Sequence, residues 1–367
     1  MRSQYGGPTM SCDSVRQWKE FCEKIVGQET PQDWPHITCA EDLVIAAKAV
    51  RKSFRHSVSL LTQDGKSINA FDVRKYGRHV WYRGESHREP NWPLCPAVFR
   101  DDFYLNGVNG FRSAEKWTIT EFWRKAVLRS RHCPQPERSL AWLALAQHHR
   151  LPTRLMDWSE SISTAAWFAT HDDPETALRI QREEIVHKLI ALVAEETKNN
   201  PSLMNRATDL IRPIPAQGST ETVIWALSPA LLNWHFNDRN GAFIFLENQH
   251  VIVMDAFSGE QRCPAIWAIW VQDVHPRMMS QSAHFTIHGT NESLENINNR
   301  LSGKERFLRK LIVDPGARSQ ILQGLADSGV TASSVFPDLD HLAAEIAEQW
   351  KAIVSSVKAG DSTDLPT

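Results

Sequence analysis

The stretch LAWLALAQHHRLPTRLMDWSESISTAAWFAT, residues 140–170, decides the fold of this chain. Its first part is apolar on nearly every side, which predicts a buried helix over residues 138–149. Residues 153–158 alternate in polarity and predict a short strand. A second helix follows, capped by Ser159 or Ser161, and its small apolar residues fall at helical spacing: Ile162, Ala165, Ala166 and Ala169. We expect these small side chains to let the second helix lie very close to its neighbour.

Side chains that can take part in binding or catalysis are concentrated where these elements meet. They are Gln147, His148, Thr153, Arg154, Asp157, Trp158 and Ser159. Each has an ordinary alternative: His148 can interact with the dipole at a helix C-terminus, Asp157 can cap a helix or orient an arginine, and Trp158 can belong to the core. Their density within one turn, strand and turn favours the wall of a ligand pocket. In that pocket His148 serves as a base or ligand contact, and Trp158 offers a face for ring stacking.

A second segment, WYRGE at residues 81–85, places an arginine and a glycine at the end of a short strand predicted over residues 79–82. Gly84 has no Cβ and lets a ligand approach the backbone. The guanidinium of Arg83 suits a pyrophosphate, which it can hold through two parallel hydrogen bonds. The alternative is a surface arginine that pairs with Glu85.

The third segment is RMMSQSAHF at residues 277–285. Gln281 is in period-2 register with Ala283, Phe285 and Ile287, which places it on an inward, apolar strand face. A polar group there needs a hydrogen-bond partner, either a ligand or a backbone group.

Composition describes an ordinary globular chain: 367 residues, 42% hydrophobic, 23% charged and a net charge of −2. No global field attracts nucleic acid, although the basic stretch at residues 112–132 is either a local nucleic-acid surface or a solvated helix face. The first residues are no signal peptide and no apolar run is long enough to span a membrane, so we expect a cytoplasmic protein without a membrane partner. The six scattered cysteines indicate reduced thiols, and we expect no metal.

The chain organisation that we predict is α+β. Residues 1–74 form a partly helical N-terminal extension with a helix over 13–26, and residues 75–345 form the main domain. Residues 346–367 complete a closing helix, capped by Asp338 or Asp340, and end in a disordered tail. Further helices are predicted over 114–130, 178–197, 229–237 and 316–327, with a loop over 198–221 and strand-like runs from residue 222 onward.

Five segments together resemble the FRG domain, which is named for an aromatic-Arg-Gly motif, here Tyr82-Arg83-Gly84. The segments are WYRGE, NWPLCPAVFR, AQHHRLPTRLMDWSESISTAAWFAT, RMMSQSAHF and SSVFPDLDHLA. Arg150 departs from the pattern, because many members carry glycine there. The resemblance implies a core similar to the ADP-ribosyltransferase fold, a mixed or split sheet flanked by helices, and a toxin of a toxin–antitoxin or anti-phage system.

On that resemblance the co-substrate is NAD. Arg83 binds its pyrophosphate, the turn at Asp157–Ser159 braces the nicotinamide pocket, and Gln281 stands where the fold has a glutamate. The resemblance assigns catalysis to Arg83, His148, Asp157 and Gln281. It assigns cofactor binding to a set of seven residues: Tyr82, Arg83, Gly84, Thr153, Arg154, Trp158 and Ser159. The acceptor is RNA, DNA or protein, and a cognate antitoxin is the expected partner. The alternative is a non-catalytic nucleotide-binding or interaction module.

Overall fold

The structure, a computed structural model, describes twelve segments of the chain: residues 11–25, 34–55, 57–61, 67–72, 79–88, 93–99, 108–130, 133–171, 221–236, 245–246, 265–271 and 276–358. The predicted helix over 178–197, nearly all of the predicted loop over 198–221 and the tail from residue 359 lie outside these segments.

The helices of the described segments are α1 (Ser11–Lys24), α2 (Ala40–Ser53), α3 (Val108–Ala126), α4 (Ser139–His148), α5 (Ile162–Thr170), α6 (Pro229–Phe236), α7 (Pro276–Ser280), α8 (Leu294–Arg300), α9 (Arg318–Asp327), α10 (Ala332–Val335) and α11 (Leu339–Lys358). The strands are β1 (Ser57–Leu61), β2 (Ser67–Asp72), β3 (Trp81–Arg88), β4 (Leu155–Ser159), β5 (Glu221–Leu227), β6 (Phe245–Leu246), β7 (Ile266–Trp270), β8 (Ala283–His288) and β9 (Leu308–Val313).

Seven of these strands form one sheet, in the order β6-β7-β8-β4-β3-β5-β9, and β1 and β2 form a separate hairpin. Each neighbouring pair from β7 to β9 is antiparallel, and β6 lies parallel to β7. Helices flank this sheet, so the α+β prediction is confirmed.

The local patterns around residues 140–170 predicted the elements correctly. The apolar helix is α4, the alternating run is β4, and α5 begins after Ser161, whose side chain accepts a hydrogen bond from Thr164 N. The closing helix α11 is capped by Asp338, whose Oδ1 accepts from His341 N at 2.9 Å.

The prediction for β3 was wrong in its bounds. The strand runs from Trp81 to Arg88, so Arg83 lies inside it rather than at its end. The physical reason is pairing with β5, which continues past Arg83 and Gly84 to the far end of the strand. Such a pairing joins residues about 140 positions apart in the chain, and a local pattern does not contain it.

The N-terminal helices pack on the same core as the sheet. Trp18 of α1 is fully buried and donates its Nε1 hydrogen to His36 O at 3.1 Å. Ile37 forms a parallel bridge with Val313 of β9, and α2 contacts α5 and α9. The proposed boundary at residue 74 stays a prediction, but α1 and α2 contribute to the main core.

A second, smaller core lies under α4. Leu140 and Leu143 of this helix pack on Leu155, Phe285 and Ile287 of β4 and β8. Helix α4 therefore covers part of one face of the sheet, over β4 and β8. The C-terminus of α4 lies beside β4. In the segments that the structure describes, no helix combines the length and the apolar character needed to cross a membrane.

Candidate functional site

The ladder between β3 and β4 is short. Among the described residues these strands pair only at Tyr82 and Ser159, whereas β4 pairs with β8 along its whole length. Side chains take over beyond that pair. The Nη1 of Arg83 donates a hydrogen bond to the backbone oxygen of Asp157 at 3.0 Å, and so connects the strands where the ladder stops. We call this place, with Arg83, Asp157 and Gln147, the β3–β4 junction.

Besides the backbone oxygen of Asp157, Arg83 has Glu85 as a partner. The Nε of Arg83 lies 3.4 Å from Glu85 Oε1. The other oxygen of Glu85 accepts a hydrogen bond from Trp225 Nε1 at 2.9 Å. Glu85 is two residues further along the same strand, so both side chains are on one face of the sheet. The side chain of Arg83 is 23% exposed and that of Glu85 is 13% exposed. The guanidinium is therefore fixed in orientation and still reachable from solvent.

The end of α4 fixes the carboxylate of Asp157. Thr153 Oγ1 donates to Gln147 Oε1 at 2.7 Å, and Gln147 Nε2 donates to Asp157 Oδ2 at 3.1 Å. The Thr153 hydroxyl also accepts from Leu155 N at 3.2 Å. Thr153 is fully buried, so it positions Gln147 rather than contacting a ligand. Asp157 itself is exposed.

The turn after α4 requires a left-handed backbone at position 150. Leu151 N donates to Ala146 O, and Arg150 N donates to Gln147 O, which is the hydrogen-bond pattern of a Schellman helix end. This pattern needs a left-handed residue, and Arg150 has φ +62°. A non-glycine residue in that conformation is strained, and strain of this kind clusters at functional sites.

Arg277 is a further arginine near Asp157. The guanidinium of Arg277 lies 3.9 Å from the centre of the Phe336 ring. Burial lowers the pKa of Arg277, the charges of Asp157 and Asp338 raise it, and the charge of Arg150 lowers it. Arg277 therefore stands among charges of both signs.

Gly84 has a different role from the one that the sequence indicated. A Cβ at this position would lie 1.9 Å from Ala165 O and 2.6 Å from Ala169 N. The backbone that approaches Gly84 belongs to α5, not to a ligand. The prediction of a close helix approach is confirmed, because Ala165 and Ala169 of α5 meet β3 at this glycine. The assignment of Gly84 to cofactor binding is corrected by this contact.

Three other residues assigned to the cofactor have buried side chains. Tyr82, Arg154 and Trp158 are each 2% exposed. Trp158 Nε1 donates to Thr286 Oγ1 at 3.0 Å, and Arg154 Nη1 donates to the backbone oxygen of His288 at 3.3 Å. The pKa of Tyr82 is raised by its burial. All three lie in the interior, so the stacking face expected of Trp158 is covered by the core.

His288 is the buried neighbour of these residues. Its Nε2 lies 2.9 Å from Thr286 Oγ1. Burial lowers the pKa of His288 from 6.5 to about 3, with smaller contributions from the charges of Arg154 and Arg83. The imidazole is therefore neutral at physiological pH, and protonating it is costly in the folded state.

Ser159 and Gln281 are adjacent, but neither side chain faces the junction. Ser159 Oγ donates to the backbone oxygen of Gln281 at 2.6 Å and accepts from Ser161 N at 3.0 Å. Gln281 lies in the turn between α7 and β8, and its Nε2 donates to Val335 O at 3.2 Å. The predicted inward strand face was wrong, because Ser282 has φ +46° and the alternation of β8 begins only at Ala283. The backbone alternative for its partner is confirmed.

His148 is the last residue of α4, and its ring packs edge-on against His149 with centroids 4.9 Å apart. Gln147 is the α4 residue that reaches Asp157, and the next position points about 100° away around the helix. Sequence reasoning named Gln147 only as part of a pocket wall and Glu85 only as the alternative partner of Arg83, which the structure confirms, and it gave no role to Arg277. The period-2 spacing from Arg83 was a usable signal for Glu85, whereas nothing local indicated Arg277. In the described segments, no group of three or more His, Cys, Asp or Glu side chains could hold a metal ion.

The fold and the site together define a class: an α+β protein whose antiparallel sheet is bridged by an arginine between β3 and β4. Residues 78–177 match the family model of the FRG domain, so this part of the chain is similar to that domain. The matched segment contains β3, β4, α4 and α5, and so all residues of the junction, whereas Arg277 and Gln281 lie outside it. Comparisons with curated proteins and with solved structures gave no match.

Proposed function

We propose that this protein is an NAD-dependent ADP-ribosyltransferase whose site is the β3–β4 junction. The observation that carries the proposal is the bridge from Arg83 to the backbone of Asp157. It places a solvent-reachable guanidinium where the ladder between β3 and β4 ends. An arginine fixed in advance binds a pyrophosphate with little loss of conformational entropy.

The charges around the junction support an anionic ligand. Arg277, whose pKa responds to the charges of Asp157 and Arg150, is a further guanidinium near the junction. A dinucleotide carries two phosphates, and the guanidiniums of Arg83, Arg150 and Arg277 are groups that can pair with them. Arg150 places a guanidinium on this turn, although glycine would adopt its left-handed backbone conformation without strain.

NAD supplies a glycosidic bond to nicotinamide, which leaves with the bonding electron pair as the acceptor nucleophile binds the ribose carbon. Positive charge develops on the ribose, and a carboxylate stabilises it. Gln281 is not placed for this role, since its amide is bound to Val335 O. We assign the role to Glu85 or Asp157, the carboxylates that flank Arg83, and Asp157 is also the group that takes the proton of the acceptor.

The ADP-ribosyltransferase-like fold, the toxin role in toxin–antitoxin or anti-phage defence, the nucleic-acid or protein acceptor and the antitoxin partner are parts of the same proposal. They rest on the family resemblance of the junction. The structure favours a macromolecular acceptor in one respect, because Asp157 is exposed and a large nucleophile can reach it.

The experiment is incubation of the purified protein with NAD labelled in the adenylate phosphate, together with cell lysate, followed by separation of protein, RNA and DNA. We expect label in one macromolecular fraction, and none with Arg83→Ala. Absence of transfer by the wild-type protein to all three fractions contradicts the proposal.

A second candidate is a nucleotide-binding module without catalysis. One observation favours it: position 281, which the resemblance aligns with the catalytic glutamate, is an amide engaged with Val335. Calorimetry with NAD and with ADP-ribose distinguishes the two functions. Binding that depends on Arg83 without any transfer indicates the module.

A further inference from the structure

Helix α11 presents an apolar face that none of the described segments covers. The helix has 20 residues, and none of those between Leu339 and Lys351 is buried. Four large apolar side chains along it are exposed: Leu339 by 80%, Leu342 by 43%, Ile346 by 54% and Trp350 by 63%. We call these four residues the α11 stripe. Exposed apolar groups of this size in one line mark a contact surface more often than a solvated face.

The spacing of the α11 stripe is that of a helix-pairing seam. Ile346 and Trp350 are four apart, Leu342 precedes Ile346 by four, and Leu339 precedes Leu342 by three. Ala343 and Ile353 fill the remaining positions of a heptad pattern. The apolar side chains of such a seam are buried only when a second helix packs along it.

The stripe points away from the body of the protein. A groove of about 920 Å³ lies between α11 and α9. A different set of α11 residues lines it: His341, Ala344, Glu345, Ala347, Glu348, Gln349 and Lys351. The polar side therefore faces the chain's own surface, and the apolar side faces outward. Collapse of α11 into that groove would leave the stripe uncovered.

Charge along α11 selects the occupant. Glu345, Glu348 and Lys351 lie on the groove side, which leaves Asp340 in the first turn and Lys358 at the last residue as the charged residues at the two ends of the helix. A second copy of the helix in the opposite direction places Asp340 of one copy near Lys358 of the other at both ends, whereas a parallel copy aligns like charges. An antiparallel register with Ile346 opposite Trp350 also packs the C-terminal parts of the two stripes against each other.

The area agrees with self-association. Covering the exposed parts of the four side chains removes on the order of 500 Å² per copy, or ~1,000 Å² for the pair, which is near the lower limit of a specific interface. We propose that the protein forms a homodimer in which the α11 stripes of two copies pack in antiparallel orientation. Interfaces at this low end of the size range are typical of weak association, so we expect a dissociation constant on the order of micromolar.

The test is sedimentation equilibrium of the full chain over a concentration series that spans that range. We expect the wild-type protein to dimerise and Ile346→Asp to be a monomer. Ala344→Asp is the matched control, because it adds the same charge to the groove side of the same helix and should still dimerise. Far-UV circular dichroism must show equal helicity in all three.

Two outcomes overturn the dimer: a wild-type protein that stays monomeric throughout the series, and an Ile346→Asp variant that dimerises as well as the control. Orientation is tested separately with Leu339→Cys under mild oxidation, with the wild type as control for the natural cysteines. The two Cys residues are adjacent in a parallel pair but about 27 Å apart in the antiparallel register, given a rise of about 1.5 Å per residue. A disulfide-linked dimer through this cysteine overturns the antiparallel arrangement.

Discussion

Replacement of Gly84 by alanine tests the packing that holds the junction. The new methyl carbon would lie 1.9 Å from Ala165 O and 2.6 Å from Ala169 N, both backbone atoms of α5. An ordinary contact needs roughly 3.4 Å or more, so α5 would have to move by over about 1 Å from β3. Because backbone atoms cannot rotate away, the helix must shift as a unit.

That shift has a cost that can be worked from the packing. Ala165, Ala166 and Ala169 are all at most 1% exposed, and a displaced α5 loses their contacts with the core. Overpacking of this severity lowers the free energy of unfolding by about 3 kcal/mol. Urea unfolding followed by circular dichroism measures it. Gly303→Ala is the control, since nothing lies within 4 Å of its added Cβ.

The result also separates two roles of this glycine. If Gly84 served ligand approach alone, Gly84→Ala would leave the unfolding midpoint near that of the wild type and weaken only NAD binding. A loss of stability below about 1 kcal/mol would refute the packing argument.

Three further predictions follow from the same geometry. Arg150→Gly relieves the left-handed strain at φ +62° and should raise the free energy of unfolding by about 1 kcal/mol, measured by urea unfolding; a destabilised variant would contradict the Schellman assignment. His288, with a folded pKa of about 3 against 6.5, leaves the unfolded state binding more protons below pH 6.5, so stability should fall by about 2 kcal/mol from pH 7 to pH 5. That fall should shrink in His288→Asn, and an unchanged pH dependence would refute the burial argument. Gln147→Ala releases the Asp157 carboxylate and should lower transfer from NAD more than it lowers NAD affinity, compared by kinetics and calorimetry; equal losses in both would exclude a positioning role.

The local elements could be predicted because their signals are local. The all-apolar run of α4 and the serine cap of α5 each lie within a few residues of the element that they define. The closing helix and its Asp338 cap were predicted on the same basis. Periodicity and capping therefore gave the elements of the FRG-matched segment from α4 to α5 with errors of one or two residues.

The site was harder, because its errors came from contacts between distant segments. Gly84 was assigned to a ligand since the sequence does not show that α5 lies on β3. Gln281 was placed on a strand because the period-2 pattern does not reveal the positive φ of Ser282, which separates Gln281 from the alternation of β8. Trp158 suits either a pocket or the core by its sequence position, and the burial of its ring separates these alternatives.

What the sequence did predict is that WYRGE and the Asp157 turn meet. They lie about 75 residues apart, and the structure joins them through the Tyr82–Ser159 pair and the Arg83–Asp157 hydrogen bond. The family resemblance provided that prediction, since no local pattern pairs two strands.

The most direct test of the proposed function is the transfer assay with labelled NAD, run with the wild type, Arg83→Ala and Arg83→Lys at equal protein concentration. We expect label on a macromolecule with the wild type and none with Arg83→Ala. Arg83→Lys should give a strongly reduced amount, because lysine keeps the charge but cannot form the bidentate hydrogen bonds of a guanidinium. All three proteins should unfold at similar urea concentrations, because Arg83 is part-exposed. Equal labelling by the wild type and Arg83→Ala, or none by the wild type, contradicts the account.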